Sequence, residues 1–340
     1  MLEGGRVVAA KDLVLKGLMS PIKPVMDEAR RVLEGELQDA SPAAQDMLAH
    51  ISRFRGKQMR GAMLLMSGKA TGAFSDEHAT MAAVIEMVHL ATLVHDDVLD
   101  GAEVRRRVAA VNQRWDNQVA VLLGDYLYTR AFALSLTLKS RYCSRVLAET
   151  SRKICVGEIE QSAMRYHFDL PQADYERIAG AKTACLMAAA CELGARYPEV
   201  GASAERDAYG DEMAAYGWEV GLAFQIVDDC LDLEGDPEKV GKSVGTDAED
   251  GKITLPILAV YRDASEEVRA RIRHVYTEPG LENRAVLLHE VCDVSKGVEA
   301  AMARAQELVD SAIARVSALP RSSARRALKE IGDYVLVRKW

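Results

Sequence analysis

The chain has 340 residues, of which 49% are apolar and 28% charged, so it can bury a large core and is not a disordered segment. Its 51 acidic residues against 43 basic ones give a net charge of −8. With no long basic run, nucleic acid is excluded as a partner, because phosphate neutralisation needs clustered Lys and Arg. No stretch of about 18 uninterrupted apolar residues occurs, so no transmembrane helix is expected.

The first 22 residues mix both charges with apolar residues and lack the clean hydrophobic block of a signal peptide. The six cysteines (143, 155, 185, 191, 230 and 292) contain no C-x-x-C pair and no ligand spacing with His. They read as reduced thiols in a cytoplasmic protein rather than as a zinc site or disulfide framework.

Ser75-Asp76-Glu77 is a helix start. Met81–Val94 follows as a helix with an apolar stripe so wide (Ala82, Ile85, Val88, Ala91 and Thr92, flanked by Met81, Val84 and Met87) that it belongs at a bundle centre. No proline falls between Pro42 and Pro171, leaving room for long helices. Segments 109–138, 145–166, 175–193, 206–233 and 298–318 carry the same helical spacing, and Gln172-Ala173-Asp174 after Pro171 is a further helix start. Hairpin-type pairs are few, and no alternating strands flank Asp250-Gly251. The chain is therefore expected to form one all-α domain over 1–340, a large helical bundle of about a dozen helices around a central apolar cavity, with a polar loop at 234–251.

One local pattern repeats. Asp96, Asp97 and Asp100 close one apolar helix, and Asp228, Asp229 and Asp232 close another. On a helix, i and i+4 share a face, and i+1 lies about 100° away. Like charges at this spacing are unfavourable in isolation and more so beside a buried run, unless cations compensate. Oxygen ligands without His or thiolate point to Mg²⁺, which characteristically bridges one or two carboxylates to substrate phosphate. Two such clusters facing each other across a bundle would clamp several ions around a diphosphate. Basic residues flank both: Lys57 and Arg60 at i, i+3, Arg105-Arg106-Arg107, Lys242 and Lys252. That arrangement suits two polyphosphate sites, one held through metal and one by Arg and Lys directly.

These residues resemble the all-trans polyprenyl diphosphate synthases. The likeness runs from about Gly56 to Pro256 and rests on GKQMRG (56–61), EMVHLATLVHDDVLDGAEVRR (86–106), GDYLY (124–128), GEIEQ (157–161), KT (182–183), FQIVDDCLD (224–232) and GKSVGTDAEDGKITLP (241–256). The resemblance implies an isoprenoid-synthase bundle and a prenyltransferase that condenses isopentenyl diphosphate with an allylic diphosphate. Asp96, Asp97, Asp100, Asp228, Asp229 and Asp232 would hold two or three Mg²⁺ on the allylic diphosphate. Arg105, Lys182, Thr183, Gln225, Lys242 and Lys252 match positions that contact the same group, with Lys182 counted among the catalytic residues. Lys57, Arg60, His89 and Arg106 match those that hold isopentenyl diphosphate, and Arg338-Lys339 resembles a basic tail that closes over that site. The resemblance also implies a homodimer. Transient membrane contact for product release fits the apolar product.

The family often has Arg at the place of Gln58, Pro at that of Gly61 and Gly at that of Arg107; no aspartate is lost. The growing tail is expected to run alongside the helix upstream of Asp96. The small Ala91 and Thr92 one turn away, with Val88, Met87, Val84 and Met81 deeper, imply a product of C20 or longer, with C30–C50 expected. The alternatives are a class I terpene cyclase, which pairs one such motif with an Asn/Ser/Glu triad, and a non-catalytic partner subunit of a heteromeric synthase, which tends to lose aspartates from one cluster.

Overall fold

The computed structural model describes residues 17–337 except 18, 39–40, 55, 106–107, 198–202 and 235–244. Arg106, Arg107, Lys242, Arg338 and Lys339 thus lie outside the described residues.

The chain opens with α1 (Lys23–Gln38), α2 (Pro42–Ile51), α3 (Met59–Thr71) and α4 (His78–Leu99). In α4, Met81, Ala82, Val84, Ile85, Met87, Val88 and Ala91 are all buried, so the wide stripe does place this helix in the interior. Its start at His78, just past Ser75-Asp76-Glu77, agrees with the expected signal.

The segment expected as one helix over 109–138 is broken. A two-residue antiparallel pair, β1 (Val104–Arg105) with β2 (Val108–Ala109), comes first, then a single turn α5 (Val111–Arg114), then α6 (Asn117–Ser135). The break falls at Trp115-Asp116 because the Asp116 carboxylate accepts from the Val119 N–H at 2.7 Å, starting a new helix there.

The helices α7 (Tyr142–Ala163), α8 (Gln172–Ala179), α9 (Cys185–Arg196) and α10 (Ala204–Glu234) follow within a few residues of the expected spans. One turn of π-helix, Gly180–Ala184, joins α8 to α9 and interrupts the expected 175–193 helix. Within the 234–251 loop, Thr246–Glu249 forms a short helix, α11. The chain ends with α12 (Leu255–Asp263), α13 (Glu266–Thr277), α14 (Arg284–Val291), α15 (Val294–Ser317) and α16 (Ser323–Val337).

Buried side chains from Ile22 to Val335 make one continuous apolar cluster. At its centre α9 and α10 pack on each other, α9 also against α3, and α4 against α6. The span Gln172–Arg196 is apolar enough to cross a membrane by length and composition, but 72% of its apolar 18-residue window is buried inside the protein, as in a core helix. All six cysteines are free.

Candidate active site

The ends of α4 and α10 open onto one cavity of about 660 Å³. Asp96 and Asp100 line it from α4, and Asp228, Asp229 and Asp232 from α10. The two ends are tied together by Lys252. Its ammonium group lies 2.9 Å from Asp100 Oδ1, 2.9 Å from Asp250 Oδ2 and 3.8 Å from Asp247 Oδ1. Asp247 in turn donates its backbone N–H to Asp232 Oδ2 at 3.0 Å, while the Thr246 hydroxyl donates to Asp232 Oδ1 at 3.0 Å. One cation thus spans the first cluster and the loop that grips the second. Its approach depends on a turn at Gly251, whose φ of +74° favours glycine and whose Cβ position would fall 2.4 Å from the Tyr166 ring.

Asp97 departs from the expected set. It is fully buried, does not line the cavity, and accepts from the Arg105 Nε–H at 2.8 Å and from a second nitrogen of the same guanidinium. The i+1 position turns into the protein, where Arg105 pairs with its Oδ1 and Oδ2 has no hydrogen-bond partner among the described residues, so Asp97 braces Arg105 from behind the cavity wall. Arg105 itself reaches the cavity wall.

The second cluster is held by neutral donors. The Tyr175 hydroxyl donates to Asp229 Oδ2 at 2.5 Å and the Gln225 amide to Oδ1 at 2.7 Å. Gln225 Oε1 accepts from the Thr183 hydroxyl at 2.8 Å. Lys182 and Thr183 both line the cavity although they are consecutive, and both sit in the π-helical turn. Lys182 pairs with Glu158 at 2.7 Å and donates to Gln161 Oε1 at 2.9 Å.

Burial moves these carboxyls apart in acidity. It pushes Asp96 up to about 6 despite the opposing Lys182 ammonium, and Asp229 up to about 7 despite its two donors. For Asp100 burial acts in the same direction, but the Lys252 and Lys182 ammonium groups override it and hold the carboxyl below its ordinary value.

Lys57, Arg60 and His89 line the same cavity. Lys57 meets the Tyr334 hydroxyl from α16, and its ammonium group stands 5.0 Å from the centre of that ring. Gln58 takes a left-handed conformation (φ 49°) and accepts from Arg30 at 3.1 Å. Gly61 donates its backbone N–H to Glu86 Oε1 at 2.8 Å, a bond that proline at this position could not make.

Of the residues expected to set product length, Thr92 reaches the cavity wall, whereas Ala91, Val88 and Met87 are fully buried and do not line it. The cavity-facing positions of this helix and its cap are Glu86, His89, Leu90, Thr92, Leu93, Asp96 and Asp100, which leaves 87, 88 and 91 on other faces. His95 is turned toward α6, with Nε2 3.1 Å from the Val121 carbonyl oxygen and 3.5 Å from Asp125 Oδ1. Tyr175 and Tyr334 were not foreseen, since a tyrosine at helical spacing reads as core; only the structure brings their hydroxyls to Asp229 and Lys57.

Among the described residues no three His, Cys, Asp or Glu side chains converge into a ready-made metal cage. The donor set is nevertheless all carboxylate, spread over two helix ends facing one cavity. Mg²⁺ usually takes only one or two protein carboxylates and completes its octahedron with water and phosphate oxygens. The residues present therefore fit ions that assemble with a diphosphate, and Asp96, Asp100 and Asp228 are placed to hold them.

The polyprenyl synthetase family model matches residues 41–292. Component 2 of heptaprenyl diphosphate synthase from Bacillus subtilis (strain 168) is 30% identical over 333 residues, covering 98% of this chain and 93% of that protein. Octaprenyl diphosphate synthase from Escherichia coli (strain K12) is 34% identical, covering 80% of this chain and 83% of that one. Among solved structures, a polyprenyl synthase from Caulobacter crescentus CB15 complexed with calcium and isoprenyl diphosphate superposes with a TM-score of 0.87 at 32% identity, covering 96% of this chain and 98% of that one. A decaprenyl diphosphate synthase from Rhodobacter capsulatus gives 0.84 at 29% identity, covering 95% and 98%. The chain belongs to the polyprenyl synthetase family of prenyl-transferring enzymes.

Proposed function

We propose that this chain is a single-domain, Mg²⁺-dependent all-trans polyprenyl diphosphate synthase. It joins isopentenyl diphosphate to an allylic diphosphate and makes a product of C20 or longer, with C30–C50 expected. The observation that carries the reading is the Lys252 bridge, which draws both acidic helix ends onto one cavity that also holds Lys57 and Arg60.

The reaction breaks the allylic C–O bond, adds the isopentenyl double bond to the resulting cation, and loses a proton to regenerate an allylic diphosphate. Bound Mg²⁺ supplies Lewis-acid neutralisation of the departing diphosphate. Around it Lys182, Arg105 and Lys252 provide fixed positive charge where negative charge develops. Lys57, Arg60 and His89, in the wall of the same cavity, hold the second diphosphate. The apolar wall of Ile154, Ile178, Leu186 and Phe224 keeps water from the allylic cation. The released diphosphate is itself a base for the last proton, so His95 has no part in the step, in keeping with its orientation toward α6.

Thr92, small and in the cavity wall one turn before Asp96, supports a tail running beside α4. Exposed apolar side chains on α6 and α7 (Leu122 at 60% and Ile159 at 69% accessibility) support pairing with a second copy. A second assembly, with this chain as one component of a two-component enzyme, is favoured by the relative named as component 2. Cytoplasmic location is part of the proposal, with membrane contact only when the product leaves.

Incubating the purified chain with isopentenyl diphosphate, farnesyl diphosphate and Mg²⁺ tests the reading. Elongated polyprenyl diphosphates are expected. Cyclic hydrocarbon would favour a cyclase, and elongation only after a second protein is added would favour the two-component assembly.

A further inference from the structure

We propose that Tyr175 is a positioning residue for the diphosphate end of the cavity, acting through Asp229 and the π-helical turn; the inference rests on the prenyl-transfer reading. Tyr175 is buried at 6% accessibility on α8, just ahead of that turn. Its hydroxyl donates to Asp229 Oδ2, and Asp229 Oδ1 accepts from Gln225. Asp229 is only 4% accessible, so both its oxygens depend on protein donors.

The direction of the network follows from chemistry. An ionised carboxylate only accepts, so the Gln225 amide must turn its nitrogen toward Asp229 and its oxygen toward Thr183, whose hydroxyl donates to it. Gln225 also lines the cavity, so the network reaches the wall.

Tyr175 and Thr183 lie on the two sides of Lys182, and both bond to α10. They staple the turn that carries Lys182 onto the helix that carries the second aspartate cluster. The seat is tight elsewhere too. A Cβ at Gly157 would come within 2.8 Å of the Lys182 backbone nitrogen, and one at Gly221 within 2.6 Å of the Ala184 Cα. With both flanks of the turn pressed against backbone, the Tyr175 hydroxyl sets how that turn and Asp229 lie relative to each other. A tyrosine ring alone would fill the same space without doing so.

Tyr175→Phe removes the hydroxyl and keeps the ring. In the full-length protein the KM for the allylic substrate is expected to rise about tenfold, on the scale of one hydrogen bond to a charged group. The KM for isopentenyl diphosphate should stay within about twofold, because Lys57 is seated on the Tyr334 hydroxyl of α16, away in sequence from α8 and the π-helical turn. Calorimetric binding of inorganic diphosphate in Mg²⁺ should weaken by a similar factor, a readout independent of turnover. In the Tyr175→Phe/Asp229→Asn double variant the losses should not multiply, since both changes cut one link. Equal changes in both KM values, a lowered melting temperature with unchanged KM values, or multiplying losses would each overturn the inference. A wild type that fails to elongate defeats the prenyl-transfer reading itself, whereas a wild type that elongates beside an unaltered Tyr175→Phe defeats this inference alone.

Discussion

At the end of α4, Asp97 and Asp100 meet cations, Arg105 and Lys252; at the end of α10, Asp229 and Asp232 meet a phenol, an amide, a hydroxyl and a backbone N–H. The same D-D-x-x-D lettering therefore sits in two environments. Positive neighbours hold Asp100 below its ordinary acidity range, while burial lifts Asp229 to about 7. A repeated motif need not make a repeated site. The first end has cations beside two of its three carboxyls, and the second is desolvated and held by neutral donors.

If the two ends act together on one ligand, neither can stand in for the other. Asp96→Ala and Asp228→Ala should each lower turnover at least ~10²-fold at saturating Mg²⁺, on the scale of one lost electrostatic stabiliser. Near-normal steady-state rates in either variant would break the comparison at its root.

Lys252→Met removes the cation shared by the two ends. Three acidic partners lose their counter-charge in a mostly buried place, which should destabilise the fold by about 3 kcal/mol and lower turnover about tenfold. Denaturant melts and rates would check both numbers. A variant as stable and active as the parent would mean that the bridge ties nothing together.

Acidity sharpens the contrast further. In the unfolded chain Asp229 takes a proton only near 4, whereas in the metal-free fold it does so near 7. Between those values the folded state binds more protons than the unfolded one, so this group makes stability fall as pH rises toward about 7 and level off above it. Asp229→Asn should abolish that slope. Melting curves of the metal-free wild type and variant between about pH 5 and 8 should therefore diverge. Parallel curves would place Asp229 at ordinary acidity.

The smallest effect on rate is expected at Thr92→Phe, which leaves both acidic ends intact. A ring in the cavity wall one turn upstream of Asp96 should shorten the product by roughly one or two C5 units, as a helical turn of about 5.4 Å is close to one extended isoprene. Chromatography of the products reads the change, and an unshifted distribution would remove position 92 from the tail's path.

Much of this architecture was legible in the residues. The wide apolar stripe of α4, the proline-free span and the two aspartate clusters point to a helical bundle with a diphosphate site before any coordinates are seen. The break before α6 was missed because apolar periodicity carries across Trp115-Asp116, although the aspartate was readable as a helix cap. The inward turn of Asp97 was not legible, since an i+1 offset of about 100° is compatible with facing a ligand or the core. Tyr175 stands 54 residues from Asp229 along the chain, and no local pattern links them.

The central claim is that two acidic helix ends grip one diphosphate jointly through metal. Its most direct test is calorimetric binding of farnesyl thiodiphosphate, an analogue that resists ionisation, to wild type, Asp96→Ala and Asp228→Ala with and without Mg²⁺. Tight binding that requires Mg²⁺ and is lost in both variants is predicted. Binding that survives the loss of either aspartate, or that ignores Mg²⁺, would contradict it.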